Sequence, residues 1–302
     1  MVGEAKKSIL ITGADGMLGR ALCEHLRNKY KIIALTRKDC DITDKKKVVE
    51  IFRSLKPSLV IHTAAFTDVD ACERYRRKAY AVNAGATHNI AKAASGIVSL
   101  LIYISTDYVF DGKSKKPYSE RSLAHPVNVY GRTKLKGEEF VRRLVKKHII
   151  IRTSWLFGCG RHNFVDDIIE RAKAAGHIRI VKDKYSSPTY INDLASAAGF
   201  IINLAGSRRW RDAYYGTYHI TNSGSCTWYA YAKHILKYAN IKGVRVDPIS
   251  IKEIAFVAKR PVFSVLDNSK YISLVHRPLR PWQKAVKEYV SLVKKQRNVR
   301  NY

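Results

Sequence analysis

The sequence predicts an α/β fold, a doubly wound parallel sheet carrying a smaller mixed α/β lobe. Short apolar runs and amphipathic helical stretches alternate through the first half of the chain, the pattern of a parallel sheet with helices on both faces. A glycine turn, Gly13-Ala14-Asp15-Gly16-Met17-Leu18-Gly19, joins the first apolar run to the first helical stretch. After Gly158 the alternation loosens and aromatic residues multiply, which marks the smaller lobe.

Ser8 to Thr12 is the first strand, and an amphipathic helix runs from the glycine turn to about Asn28. Gly13 permits the tight turn, Gly16 lets the backbone approach a pyrophosphate at the helix N-terminus, and Gly19 lets helix and strand pack closely. At a strand-to-helix junction this spacing points to a dinucleotide. The second strand, Lys31 to Leu35, ends in Thr36-Arg37-Lys38. A cation there suits a ribose 2′-phosphate, so Arg37 favours NADP(H); NAD(H) is the alternative if Arg37 and Lys38 are only surface cations.

Asp41-Ile42-Thr43-Asp44 leads into a helix with Val48, Ile51, Phe52 and Leu55 on one face, closed by Pro57. The third strand, Ser58 to His62, opens into Thr63-Ala64-Ala65-Phe66-Thr67, whose small residues leave room for a flat ligand over the sheet edge. His62 reads as a core histidine. Tyr80 to Ala94 is alanine-rich and helical, with Asn83 inside it. Leu100 to Ser105 is the fourth strand, and a polar loop follows Gly112 as far as Pro126. A helix carrying Tyr130 and Lys134 continues to about Lys147, and His148 to Thr153 is the fifth strand. Then come a helix from Asn163 to Ala175, a strand from Ile178 to Val181, an apolar helix from Asp193 to Leu204, and helices at Trp228–Ala239 and Pro281–Val293.

Bulk composition narrows the function. No run approaches the ~18 apolar residues of a membrane span, and the short charged start, Met1 to Lys7, is not a secretory signal. Cys23, Cys40, Cys72, Cys159 and Cys226 are scattered without a CxxC pair. They point to a reducing cytoplasm and ordinary buried or half-buried thiols, with no disulfide scaffold or zinc site. With 55 Lys and Arg against 25 Asp and Glu, the formal charge of +30 attracts polyanions: a phosphorylated cofactor, a nucleotide-sugar or nucleic acid. The basic residues are spread over the chain, densest from Lys287 to Arg300. No helix-turn-helix, zinc-finger or RNA-binding signature accompanies them, which disfavours nucleic acid.

The chemistry concentrates between Leu101 and Lys134. The fourth strand delivers the Thr106 hydroxyl at its carboxyl end, and Tyr130 and Lys134 share a helix face one turn apart. A phenol, an ammonium and a hydroxyl at one point suit proton delivery to a carbonyl under reduction. Lys134 and an oxidised nicotinamide are expected to lower the Tyr130 pKa from its ordinary value near ~10. Tyr229/Lys233 and Tyr238/Lys242 repeat the spacing, but they lie late in the chain, away from a glycine turn or strand end.

These motifs resemble the extended branch of the short-chain dehydrogenase/reductase superfamily, with its Rossmann-type sheet, and within it the dTDP-4-dehydrorhamnose reductase family. The resemblance rests on the glycine turn, Asp41-Ile42-Thr43-Asp44, Ala64-Ala65-Phe66-Thr67-Asp68-Val69-Asp70, Ser105-Thr106-Asp107-Tyr108-Val109-Phe110-Asp111-Gly112 and Asn128-Val129-Tyr130-Gly131-Arg132-Thr133-Lys134. It continues through Arg152-Thr153-Ser154-Trp155, Asn163-Phe164, Pro188-Thr189, Gly216-Thr217-Tyr218-His219 and Arg260-Pro261. It implies NADPH-dependent reduction of the 4-keto group of dTDP-6-deoxy-L-lyxo-4-hexulose to dTDP-L-rhamnose, with Thr106, Tyr130 and Lys134 catalytic. It implies a cofactor site of Gly13, Ala14, Asp15, Gly16, Met17, Leu18, Gly19, Arg37, Asp41, Ile42, Ala64 and Ala65 with Tyr130 and Lys134. It places Thr106, Asp107, Tyr108, Trp155 and Asn163 at the sugar nucleotide; Trp155 is either an apolar wall for a sugar face or a core aromatic.

The expected division is a cofactor domain of residues 1–153 and about 187–217, and a substrate lobe of about 154–186 and 218–302. Some family members carry an acid two residues after the third glycine, linked to a metal-bridged dimer. Ala21 stands there, so no metal is expected; a homodimer stays open. The alternatives are a reductase of another nucleotide-linked keto-sugar, a non-catalytic dinucleotide-binding subunit like that of methionine adenosyltransferase, and a nucleic-acid binder.

Overall fold

The computed structural model describes residues 6–97 and 100–299. Met1 to Ala5, most of the charged start, and Arg300 of the basic tail lie outside the described residues. The strands are β1 (Ser8–Thr12), β2 (Lys31–Leu35), β3 (Leu59–His62), β4 (Leu100–Thr106), β5 (His148–Thr153) and β6 (Leu156–Phe157). They continue with β7 (His177–Val181), β8 (Tyr185–Ser186), β9 (Thr189–Tyr190), β10 (Gly216–His219), β11 (Cys226–Thr227) and β12 (Arg245–Ile249).

The helices begin with α1 (Met17–Leu26), α2 (Lys45–Leu55), α3 (Val69–Arg74), α4 (Arg76–Tyr80) and α5 (Ala86–Gly96). Then come α6 (Val129–Leu144), α7 (Phe164–Ala174), α8 (Ile191–Ala205), α9 (Trp228–Ala239), α10 (Ser269–Val275) and α11 (Trp282–Val299).

The central sheet has six strands in the order β2-β1-β3-β4-β5-β10, every pair parallel. Parallel strands need covering on both faces, which is why β4 reads Leu-Leu-Ile-Tyr-Ile with no polar alternation. Ile9, Ile11, Ile102, Ile104, Ile149 and Ile151 pack into one core with α1 and α8. The intervening Leu10, Leu101, Tyr103 and Ile150 pack into a second core with α2, α5 and α6. Chain order reverses between β1 and β3, and such a switch point opens a crevice at the carboxyl ends of the strands.

The smaller lobe pairs β7 with β12 in parallel and β8 with β11 antiparallel. Its helices α7 and α9 pack an aromatic cluster of Phe164, Trp228 and Tyr231 against Trp155.

Several boundaries differ from the sequence expectation. The stretch expected as one helix from Tyr80 to Ala94 is α4, a π turn at Ala81–Gly85, and α5. The fourth strand extends to Thr106, and α6 ends at Leu144 because Val145 is already extended. His62 is buried between the Thr12 and Thr87 hydroxyls, at 2.7 and 3.0 Å, and burial draws its pKa down to about 3, so it is a neutral core histidine. Cys159 is exposed, unlike the buried or half-buried thiols expected.

Candidate active site

The glycine turn sits at the switch point. Gly13 has φ +68°, and a Cβ on it would stand 2.8 Å from the Ala64 Cα at the end of β3. Only glycine lets the two strand ends approach so closely. Gly16 precedes α1 with no side-chain cap, which leaves the first amides of the helix available to an anion. Arg37 is 79% exposed and stands 3.9 Å from Asp41, while the Asp41 carboxylate accepts from the Thr43 backbone and hydroxyl. Ile42, Ala64 and Ala65 line the same end of the sheet, beyond β2 and β3.

Tyr130 is the second residue of α6 and Lys134 lies one turn on. The helix start is fixed from three sides. Asn128 accepts from the Gly131 amide at 2.8 Å, Glu73 accepts from the Val129 amide at 2.7 Å, and Asn128 donates to the Lys259 carbonyl at 2.8 Å. Gly131 has no room for a Cβ, which would run into the Tyr108 carbonyl. This contact brings Tyr130 beside the end of β4, where its ring meets Tyr108 edge-on at 5.9 Å.

The Thr106 hydroxyl lies near enough to the Tyr130 phenol to lower its pKa, accepts from the Tyr108 amide at 3.2 Å and donates to Asp107 at 3.0 Å. Lys134 is buried, donates to the Ile104 carbonyl at 2.7 Å and lies over the Tyr103 ring.

Burial sets the electrostatics. It pushes the Tyr130 phenol well above its ordinary range, against the lowering by Thr106. This reverses the sequence expectation: desolvation dominates the phenol, and Lys134, turned to the Ile104 carbonyl, is not among the groups that shift it. The phenol is therefore held protonated, as a proton donor requires. Burial also draws Lys134 from 10.5 down to about 7, opposed by Glu138 one turn further along α6.

Behind these groups lies a buried ion pair. Arg152 on β5 donates to both oxygens of Glu138 at 2.9 and 2.7 Å, Ser105 on β4 donates at 2.6 Å, and Arg142 completes the set. It ties β4, which carries Thr106, and α6, which carries Tyr130 and Lys134, to β5.

Trp155 follows β5 with φ +48°, an uncommon conformation for a bulky residue, and packs at tilted and edge-on angles among Phe164, Trp228 and Tyr231. Asn163 caps α7, and its amide is engaged by Gly158, Asp166 and Tyr289. The structure thus brings Thr106, Asp107, Tyr108 and Tyr130 together, and seats Asn163 in the α7 cap. Tyr229/Lys233 lies on α9, with Lys233 exposed over the Tyr229 ring.

Sequence reasoning gave no role to several groups here. Asn83, at the π turn, bonds the Phe66 amide and carbonyl and the Thr133 hydroxyl, which links the end of β3 to α6. A polar residue in an alanine-rich helix was its only signal. Lys184 lies over the Tyr108 and Trp228 rings, and Arg260, paired with Asp70 at 2.9 Å, acts electrostatically on Tyr108.

A nicotinamide cofactor fits these residues. Beyond the uncapped start of α1, the Thr153 hydroxyl is buried without a hydrogen-bond partner, in register with Thr106 on the neighbouring strand. An orphaned hydroxyl at that strand end is ready for a polar group of a bound ligand. A glycine turn at the switch point and a phenol–hydroxyl pair beside it define a reductase of the extended short-chain dehydrogenase type.

The chain belongs to the family described as the RmlD substrate binding domain, whose model matches residues 7–295. It is 38% identical over 283 residues to the spore coat polysaccharide biosynthesis protein SpsK of Bacillus subtilis, covering 93% of this chain and 96% of the relative. It is 37% identical to the dTDP-4-dehydrorhamnose reductase of Aggregatibacter actinomycetemcomitans, over 92% of this chain and 97% of that one. The crystal structure of dTDP-4-dehydrorhamnose reductase from Bacillus anthracis in complex with NADP is similar, with a TM-score of 0.88 at 38% identity, over 94% of this chain and 98% of that one.

Proposed function

We propose that this chain reduces the 4-keto group of dTDP-4-dehydrorhamnose to give dTDP-L-rhamnose, with NADPH as reductant. The observation that carries the reading is the meeting of the Thr106 hydroxyl and the protonated Tyr130 phenol at the carboxyl end of β4. NADPH supplies the hydride. Thr106 orients the keto oxygen, and Tyr130 gives its proton to the alkoxide as it forms. Lys134, held by the Ile104 carbonyl, positions the cofactor ribose. The sugar nucleotide lies against Asp107, Tyr108 and Trp155.

Residues 1–153 and about 187–217 form the cofactor domain in this reading, and about 154–186 and 218–302 the substrate lobe. No described helix is long and apolar enough to cross a membrane. The proposed setting is the cytoplasm, with a freely diffusing nucleotide-sugar as substrate. The test is NADPH oxidation with dTDP-4-dehydrorhamnose generated in place by its upstream epimerase. Consumption that depends on the keto-sugar supports the reading, and its absence with intact NADPH binding refutes it.

In this reading Arg37 meets the 2′-phosphate of NADPH. Arg37→Ser is expected to weaken NADPH binding about tenfold, the loss of one charge-assisted hydrogen bond, and to leave NADH binding unchanged. Fluorescence titration with both cofactors checks this; equal weakening of both would remove Arg37 from cofactor choice.

A further inference from the structure

Lys184 is one of the largest fully buried side chains of the protein, at 2% exposure. An ammonium carries three donors. Among the described residues its recorded hydrogen-bond acceptor is the Ser264 hydroxyl, at 3.5 Å, the outer limit of such a bond. The ammonium stands over two aromatic faces, 5.4 Å from the Tyr108 centroid and 5.8 Å from that of Trp228. A buried cation with spare donors is costly to keep unless something else fills them.

Its surroundings show what that is. From Lys184 a line of buried side chains leads to the catalytic hydroxyl: Ser264, then Ser186 at 3.3 Å, then the Asp107 carboxyl at 3.4 Å, then Thr106. Tyr108 meets Tyr130 edge-on, and Lys184 lies over the face of the same Tyr108 ring. A sugar whose keto oxygen meets Thr106 and Tyr130 thus has Tyr108, with Lys184 against it, as a neighbour.

We propose that Lys184 is a specificity-determining residue whose ammonium donates to a ring hydroxyl of the bound keto-sugar, steered by Asp107. This rests on the reductase reading above and adds the group that recognises the sugar. Asp107 argues for a hydroxyl over the diphosphate, because a carboxyl group beside the ammonium disfavours a second anion there. Burial draws Lys184 from 10.5 down to about 8, with Asp107 opposing and Arg260 adding to the fall, so it stays charged at neutral pH.

The test compares wild type with Lys184→Met and Lys184→Gln on the keto-sugar nucleotide and on analogues each lacking one ring hydroxyl. Wild-type turnover of the parent substrate checks the reductase reading separately, and NADPH affinity checks folding of both variants. Lys184→Met is expected to lower kcat/KM on the parent about 10–100-fold, the loss of a charge-assisted hydrogen bond. It causes no further loss on the one analogue whose missing hydroxyl is the partner. Lys184→Gln, which keeps a donor, recovers part of the parent activity. Equal losses on every sugar overturn the proposal, as does a matching loss in affinity for dTDP alone, and so does unchanged activity.

Discussion

Tyr130→Phe loses turnover by about 10²–10⁴-fold, the span of a general acid, while NADPH binds as tightly as to wild type. The phenyl ring keeps the edge-on contact with Tyr108 and the position at the start of α6. What it loses is the hydroxyl beside Thr106 that carries the proton in the proposed mechanism. Burial holds that phenol protonated at neutral pH, and the phenylalanine ring has no proton to give in its place. Asp107 is a weaker candidate, since its carboxyl already accepts from Thr106 and Ser186. Stopped-flow NADPH oxidation, with cofactor binding measured by fluorescence, separates the two effects. Turnover within tenfold of wild type would remove Tyr130 from proton delivery.

Glu138→Ala destabilises the fold by about 3–5 kcal/mol, the range for breaking one side of a buried ion pair. Arg152 would be left buried with no carboxylate, and Ser105 would lose its acceptor. Burial alone would raise the Glu138 pKa, but the hydrogen bonds and charge of Arg152, with Arg142 and Ser105, hold it below the usual 4.5. The sign of the pH dependence follows. A carboxyl depressed in the folded state contributes stability above its unfolded pKa and loses it as pH falls through the folded value. The gap between wild type and variant is thus full at neutral pH and narrows in acid below 4.5. Urea unfolding across that range measures it, read as a shift in midpoint at constant slope. A gap that widens in acid would contradict the account.

The Tyr130/Lys134 pair stands out in the sequence as the catalytic candidate because order along the chain selects among three Tyr-x-x-x-Lys pairs. Only Tyr130 and Lys134 follow an apolar strand ending in a hydroxyl, and strand and helix adjacency in a parallel sheet then brings them together. The strands β2 and β5 were legible to the residue, because each is an apolar run bounded by polar residues. Lys184 and Arg260 were hidden for the opposite reason. They act on Tyr108 from loops distant in sequence, Lys184 over its ring and Arg260 through its charge, and in a chain with 55 Lys and Arg a lysine carries no signal of its own burial. The direction of the Tyr130 shift also escaped, since desolvation depends on what packs around the phenol and sequence spacing does not record it. The π turn at Ala81–Gly85 is set by the tertiary bonds of Asn83, whereas alanine content alone favours a continuous helix.

The most direct test of the central claim follows the hydrogen itself. Wild-type protein is given dTDP-4-dehydrorhamnose and NADPH deuterated at its transferable position, and the product is examined by NMR and mass spectrometry. The account predicts dTDP-L-rhamnose with deuterium on carbon 4 of the sugar, one per NADPH consumed. Cofactor bound but not oxidised, or product whose carbon 4 carries no deuterium, would contradict it.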